Sequence, residues 1–297
     1  MKLASGCAIG AFVNGLENLT EFQTLIDRKL AVILSYIHWP ETFPRLECEQ
    51  VSQNGSLPLL TWEPWVSDPA GNLEAILRGQ YQDYIETFLR AAKEWGKPVL
   101  LRWAHEMNGN WYPWSGFQNG QAAGPEKFKK VWLYIYNVKR ALKADNVSLV
   151  WCPNNASLPN DQWNQLAAYY PGDQYVDWVG IDGYNWGFSQ WQSFEAIFAE
   201  PFRQISALTQ KPLMIGEFAA AEAVQPDAVG TIINNKADWI REALQLIKEK
   251  HPQLKLFCWF NINKERDWRL SSSLAAARAA KQALQDRYFL DRMYTEE

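Results

Sequence analysis

Histidine is scarce in this chain: His38, His105 and His251 are all there is among 297 residues. No two of them lie close in sequence, so a histidine-built metal centre is not expected. Cysteine is almost as sparse. Cys7, Cys48, Cys152 and Cys258 show no C-x-x-C spacing, which points away from both zinc and a redox dithiol. Cys7, Cys152 and Cys258 sit in apolar, strand-like runs, where buried free thiols are the expectation; a Cys7–Cys258 bridge is the alternative if the first and last strands are neighbours. The chain also lacks G-x-G-x-x-G, a P-loop and G-x-S-x-G. Dinucleotide binding, a phosphate cradle and a serine nucleophile are thereby set aside, and no cofactor is expected. His105-Glu106 is not the start of a zinc H-E-x-x-H motif, because Gly109 stands where the second histidine would be.

Basic clusters are missing too. Lys and Arg number 29 against 33 acidic residues, a net charge of −4, so nucleic acid is a poor partner. No apolar run reaches membrane-spanning length, and no membrane partner is expected. The start, MKLASGCAIGAF, lacks the long apolar stretch and cleavage site of a signal peptide. The expectation is a secreted protein if an export signal has been removed, and a cytoplasmic one otherwise.

What the chain does have is short apolar runs, eight of them: 7–13, 31–37, 57–63, 98–104, 147–153, 178–184, 212–218 and 255–261. Each is strand-sized and apolar on both faces, as parallel strands buried on both sides must be. Between them lie segments with helical periodicity, at 16–29, 73–96, 125–143, 234–250 and 273–289. Gly96 is a stop signal for the second of these and Pro125 a start signal for the third. The segment after the second strand is the least helical, since Pro40 and Pro44 interrupt it. Eight strand–helix units predict an α/β protein, a single (β/α)8 barrel in one domain over 1–297, acting as a monomer.

Active sites of such barrels lie where strands run into the following loops. The polar residues there include His38 and Glu63, Arg102, His105, Glu106 and Asn108, Asn154, Asp182 and Tyr184, Glu217, Asn261 and Asn263. Glu106 and Glu217, at the ends of strands four and seven, are the pair of carboxyl groups that glycosidic hydrolysis needs: one protonated to donate, one ionised. The stretch LRWAHEMNGNWYPWSG adds three tryptophans around Glu106. Indole offers a large rigid apolar face with one N–H, suited to the C–H face of a sugar. Trp103, Trp111, Trp114, Trp186, Trp259 and Trp268 all fall at or beyond strand ends, so a carbohydrate cleft is the reading. Trp132, Trp163, Trp191 and Trp239 fall on helical patterns and read as core, and His251, in EKHPQ, as solvent-exposed. Arg102, inside an apolar strand, requires a buried carboxylate partner.

RWAHEMNGNWYPW resembles the strand-four signature of glycoside hydrolase family 26, Arg-x-x-His-Glu-x-Asn-Gly-x-Trp. DWVGIDGYNWG and KPLMIGEFA resemble that family's strand-six and strand-seven segments, in the expected order. The resemblance implies a (β/α)8 barrel and retaining double displacement, with Glu106 as acid/base and Glu217 as nucleophile. It implies that Arg102 and His105 fix and charge-balance the nucleophile, that Tyr184 bonds its carboxylate, and that Asp182 lies behind it or tunes the acid/base. Trp111 and Trp259 would line the subsite under attack, with Asn108, Trp114, Trp186 and His38 as further substrate-binding residues. Within the family, Arg102-Trp103-Ala104, WYPW and GYNWG look more like the mixed-linkage β-1,3-1,4-glucanase members than the mannanases. A β-linked polysaccharide is the implied partner. The alternatives are an endo-β-1,4-mannanase with the same pair, or a non-catalytic carbohydrate-binding barrel, which would need the tryptophans but not the paired carboxylates. Two loops, 116–124 and 222–235, are candidates for closing the cleft.

Overall fold

The structure, a computed structural model, describes residues 2–66, 72–187, 191–222 and 235–295. In chain order the elements are β1 (Cys7–Phe12), α1 (Leu19–Ile26), β2 (Val32–His38), α2 (Arg45–Gln53), β3 (Leu57–Glu63), α3 (Asn72–Leu77), α4 (Gln82–Trp95), β4 (Val99–Trp103), α5 (Gly124–Leu142), β5 (Val147–Trp151), β6 (Trp178–Val179), β7 (Asp182–Asn185), α6 (Phe194–Leu208), β8 (Leu213–Ala220), α7 (Lys236–Glu249), β9 (Leu254–Phe260), α8 (Leu274–Ala283) and β10 (Phe289–Leu290). This is a parallel (β/α)8 barrel, with all eight predicted strands present. Of the loop at 222–235, residues 223–234 lie outside the described residues. No helix among the described residues is long and apolar enough to cross a membrane.

Two compact units make up the chain. The first comprises Met1–Leu34, Gly183–Arg203 and Leu213–Glu297. Its centre is β1, parallel to β2 through Gly10↔Val32, to β9 from Ala8↔Leu256 to Phe12↔Phe260, and to β10 through Cys7↔Phe289. β9 pairs in turn with β8, whose eight residues are all buried. The β8–β9 register shifts between Ile215 and Phe218, an irregularity of the kind that re-aims a side chain; Glu217 lies within it. α1, α7 and α8 cover this sheet with Phe22, Ile26, Ile240, Ala243, Ile247 and Ala280, each larger side chain contributing about 1.5–3 kcal/mol by burial.

The second unit comprises Ser35–Asp182 and Gln204–Pro212. Here β3, β4, β5 and β6 pair in succession, through Leu59↔Leu100, Val99↔Val147 and Val150↔Trp178. All five residues of β4 are buried. Trp103 packs on Phe128 and Trp132 of α5, at 5.1 and 6.1 Å between ring centres. That orientation sends the preceding Arg102 to the opposite face, because side chains alternate along a strand. It also corrects one expectation: Trp103 belongs to the strand–helix core rather than to the mouth.

Other differences have local causes. The helix expected over 73–96 is two helices, interrupted at Gly79, whose φ is +79°; Gly96 ends the second, as predicted, in a left-handed conformation. Pro125 sits in the first turn of α5, which starts one residue earlier at Gly124. α2 starts directly after Pro44, which serves as its N-cap. The helix expected over 273–289 stops at Ala283, and its end becomes β10. α6 had no counterpart among the predicted helices; it carries Pro201 internally. The four cysteines are free and buried. His251 is buried rather than exposed, its Nε2 3.0 Å from Glu195. Trp132 and Trp239 are core, whereas Trp163 and Trp191 are half-buried.

Candidate active site

In the second unit the site is built on the end of β4. Arg102 is fully buried, with Nη1 2.9 Å from both carboxylate oxygens of Asp182. Its Nε and Nη2 donate to the Thr61 hydroxyl on β3, at 3.0 and 2.7 Å. Asp182 also accepts from the Cys152 thiol at 3.2 Å. Burial, reinforced by Asp182, pushes that thiol well above its ordinary value, so Cys152 is a neutral donor. A buried ion pair is tolerable only when such bonds satisfy its remaining groups.

Beyond Trp103 the backbone leaves the strand under strain. Ala104 and Glu106 have φ of +48° and +52°, a region that costs a non-glycine residue roughly 1–3 kcal/mol. Two bonds hold the turn: Ala104 N–H donates to Trp62 O at 3.2 Å and Glu106 N–H to Cys152 O at 2.8 Å. The strain turns His105 inward and Glu106 toward the loop. The His105 ring lies against Tyr112 (4.9 Å) and Tyr36 (6.1 Å). Glu106 is 8% exposed, and its Oε2 accepts from the Trp111 indole N–H at 2.9 Å. Trp111 itself is 43% exposed, leaving ring surface free for a ligand. Its indole folds over Gly109, where a Cβ would come within 2.5 Å of the ring.

Two predicted sugar contacts have other duties. Trp114 is fully buried, stacks on Tyr112 at 4.3 Å and donates to the His105 carbonyl at 2.7 Å. Asn108 is equally buried. Its amide donates to Asn154 O and Ser157 Oγ and accepts from Asn154 N–H, tying the loops after β4 and β5 together. Both were expected to offer substrate-binding faces; the structure buries them, with their polar groups bonded to neighbouring backbone and side chains. At the rim, Glu63 accepts from His38 Nε2 at 2.9 Å and from the Trp65 indole at 3.1 Å. His38 and Trp65 remain substantially exposed, a second carboxylate–indole pairing of the Glu106–Trp111 type.

The first unit holds the other predicted residues. Glu217 is 5% exposed and accepts a hydrogen bond from the Tyr184 hydroxyl. The Tyr184 ring is walled by Phe260 (5.7 Å), Trp268 (5.1 Å) and Trp186 (6.0 Å). Trp259 is almost buried, its indole N–H bonded to the Trp268 carbonyl at 2.9 Å. Trp186 keeps 40% of its surface open.

These elements recur in known proteins. A family model, Glycosyl hydrolase family 26, matches residues 66–265. The chain belongs to glycosyl hydrolase family 26. It is 36% identical to Endoglucanase H of Acetivibrio thermocellus over 290 residues, 94% of this chain and 30% of that protein. With Beta-1,3-xylanase TXYA of a Vibrio species the identity is 30% over 213 residues, 67% of this chain and 43% of that one. The chain thus spans less than half the length of either relative. Among solved structures, the Bacillus subtilis mannanase BCman matches with a TM-score of 0.69 at 19% identity, covering 98% of this chain and 90% of that one; at that identity the likeness is one of fold. Sequence reasoning passed over Thr61, Tyr36 and Tyr112. A polar residue in the apolar run LPLLTWE was the available sign for Thr61, and the position of Tyr112 inside WYPW the sign for the last.

Proposed function

We propose that the protein is a retaining endo-β-glycanase acting on mixed-linkage β-1,3-1,4-glucan, with Glu106 as acid/base and Glu217 as nucleophile. The observation that carries this reading is the treatment of the two carboxylates: each is nearly buried on a family 26 barrel with one oxygen held by an aromatic donor, Trp111 N–H for Glu106 and Tyr184 O–H for Glu217. Such bonds aim a carboxylate without neutralising it. In the first step Glu106 gives its proton to the leaving glycosidic oxygen while Glu217 attacks the anomeric carbon. In the second, Glu106 takes a proton from water as that water displaces Glu217. Double displacement requires the two carboxyl groups about 5–5.5 Å apart. The exposed ring surfaces of Trp111 and Trp186 supply apolar faces for sugar rings. The Arg102–Asp182 pair lies beneath His105-Glu106 and fixes the strand that presents it. Glucan is favoured over mannan because the relative matched at 36% over 94% of the chain is named an endoglucanase, whereas a Bacillus subtilis mannan endo-1,4-beta-mannosidase matches at 28% over 57%.

The test is a panel of barley β-glucan, lichenan, glucomannan, galactomannan, β-1,3-xylan and carboxymethylcellulose, followed by new reducing ends. Cleavage of the mixed-linkage glucans and not the mannans is expected. Cleavage of mannan alone would leave the mechanism and replace the substrate. Roles are separated by azide with an activated aryl glycoside: Glu106→Ala should yield the β-glycosyl azide and Glu217→Ala the α-glycosyl azide. The opposite pattern would exchange the assignments.

A further inference from the structure

Lys236 opens α7 and is fully buried. Its three ammonium protons are all used. Nζ donates to the carbonyls of Asp267 (3.0 Å) and Arg269 (2.7 Å) and to the Ser272 hydroxyl (3.0 Å). Ser272 donates onward to Glu222 at 2.6 Å. Nζ also lies 5.8 Å from the centre of the Trp259 ring. A cation in this place is costly twice over: it has left water, and it sits in the first turn of a helix, whose N-terminal end is already positive. The hydrolysis proposed above has no proton for it to move.

What the ammonium fixes is the loop between β9 and α8. Between the two carbonyls it collects stands Trp268. The Trp268 carbonyl receives the Trp259 indole N–H, and its ring stands 5.1 Å from both Tyr184 and Trp186. Tyr184 donates to Glu217. We propose that Lys236 is a positioning residue for the hydrolysis: its ammonium holds the 267–272 loop, and through Trp268 and Trp259 that loop holds Tyr184 and the Glu217 carboxylate in attacking geometry. This rests on the reading of Glu217 as nucleophile.

The charge matters because a neutral amine has two N–H groups and cannot serve three acceptors. Of the charged groups facing Nζ, Glu222 and Asp267 favour the ammonium and Arg269 opposes it. Burial outweighs them all and lowers the group to about 8. The loop is therefore fully held below that pH and loosens as pH rises through it. Stability runs the other way. The unfolded chain keeps its proton up to ~10.4, so between about 8 and that value it binds more protons than the folded one, and the contribution of this group to stability rises with pH. A merely structural lysine would move activity and stability together.

Wild type and Lys236→Met are assayed on barley β-glucan from about pH 6 to about pH 10, with thermal unfolding measured at each pH. The expected result is a wild-type-to-variant kcat ratio of roughly tenfold or more at the acid end, with KM nearly unchanged, shrinking as pH passes about 8. Taking the ratio removes whatever pH dependence the two proteins share. A variant with wild-type kcat, or a ratio that stays constant with pH, overturns the proposal. Should the variant not fold, wild-type tryptophan emission is titrated over the same range; a step centred near 8 with unchanged far-UV dichroism is expected, and no step overturns the loop coupling. Since that titration needs no turnover, a step without cleavage of any glucan indicts the catalytic reading instead.

Discussion

Gly109 has no side chain, and the site depends on that vacancy. The Trp111 indole occupies the space a Cβ would fill and from there reaches Glu106. Gly109→Ala should push the indole off the carboxylate; loss of one hydrogen bond to a charged group, about 1.5–3 kcal/mol, corresponds to a roughly 10- to 100-fold fall in kcat/KM. Steady-state kinetics on barley β-glucan, with circular dichroism to confirm folding, checks this. Tyr184→Phe should cost a similar factor by removing the hydroxyl from Glu217. Arg102 is a different case. Arg102→Met strands Asp182 as an unpaired buried charge, and about 3–5 kcal/mol of stability should be lost, read as a lower urea midpoint. At this scale the need of a buried charge for a partner was readable, and the burial of neutral polar groups was not. Arg102 announced a buried partner because a guanidinium in an apolar strand cannot stand alone. Trp114 and Asn108 carry no mark of being fully buried, because indole and amide groups serve equally well at a sugar or behind a histidine.

Elements were legible where one rule acted alone. The eight strands are buried on both faces, and continuous apolar runs say so. Helices were less so, where a breaker could be tolerated or decisive. Pro201 does not stop α6, since the rest of the turn packs Phe194, Phe198 and Phe202 together. Gly79 does split α3 from α4, because its backbone is left-handed. At the start of α7, Asn235 accepts from Asp238 N–H at 2.9 Å. Asn235→Ala should therefore cost about 0.5–2 kcal/mol, visible in thermal unfolding, and should lower activity only in so far as it moves Lys236. The loop after β4 is pinned at its far end, where Gly116 and Gly124 touch backbone to backbone. A side chain at Gly124 would force them apart, and one at Gly116 would strike the Tyr169 hydroxyl.

For the molecule as a whole, charge sets how stability answers to acid. Asp267, bonded to Arg269, and Asp286, bonded to Lys248, are both held below the ordinary carboxylate value by those bonds. Their contribution is present above the unfolded value of ~3.9 and is lost as pH falls through the lower folded values. Both pairs are partly exposed, so salt should weaken the effect. Acid unfolding followed in low and high salt should show an earlier loss of structure in high salt for these two pairs. The barrel itself was foreseeable from eight repeats of strand and helix; its division into two compact units was not, since no linker or change of composition marks it.

Four thiols with no solvent contact make a clock for that division. Cys7 and Cys258 lie in one unit, Cys48 and Cys152 in the other. A reagent such as a maleimide can reach each only when its surroundings open, so labelling rates count native-state openings residue by residue. Cys152, sealed in with Arg102 and Asp182, reports the opening of that buried ion pair. Equal rates for the two thiols of one unit would mark that unit as a single cooperative opening, and unequal rates would divide it further.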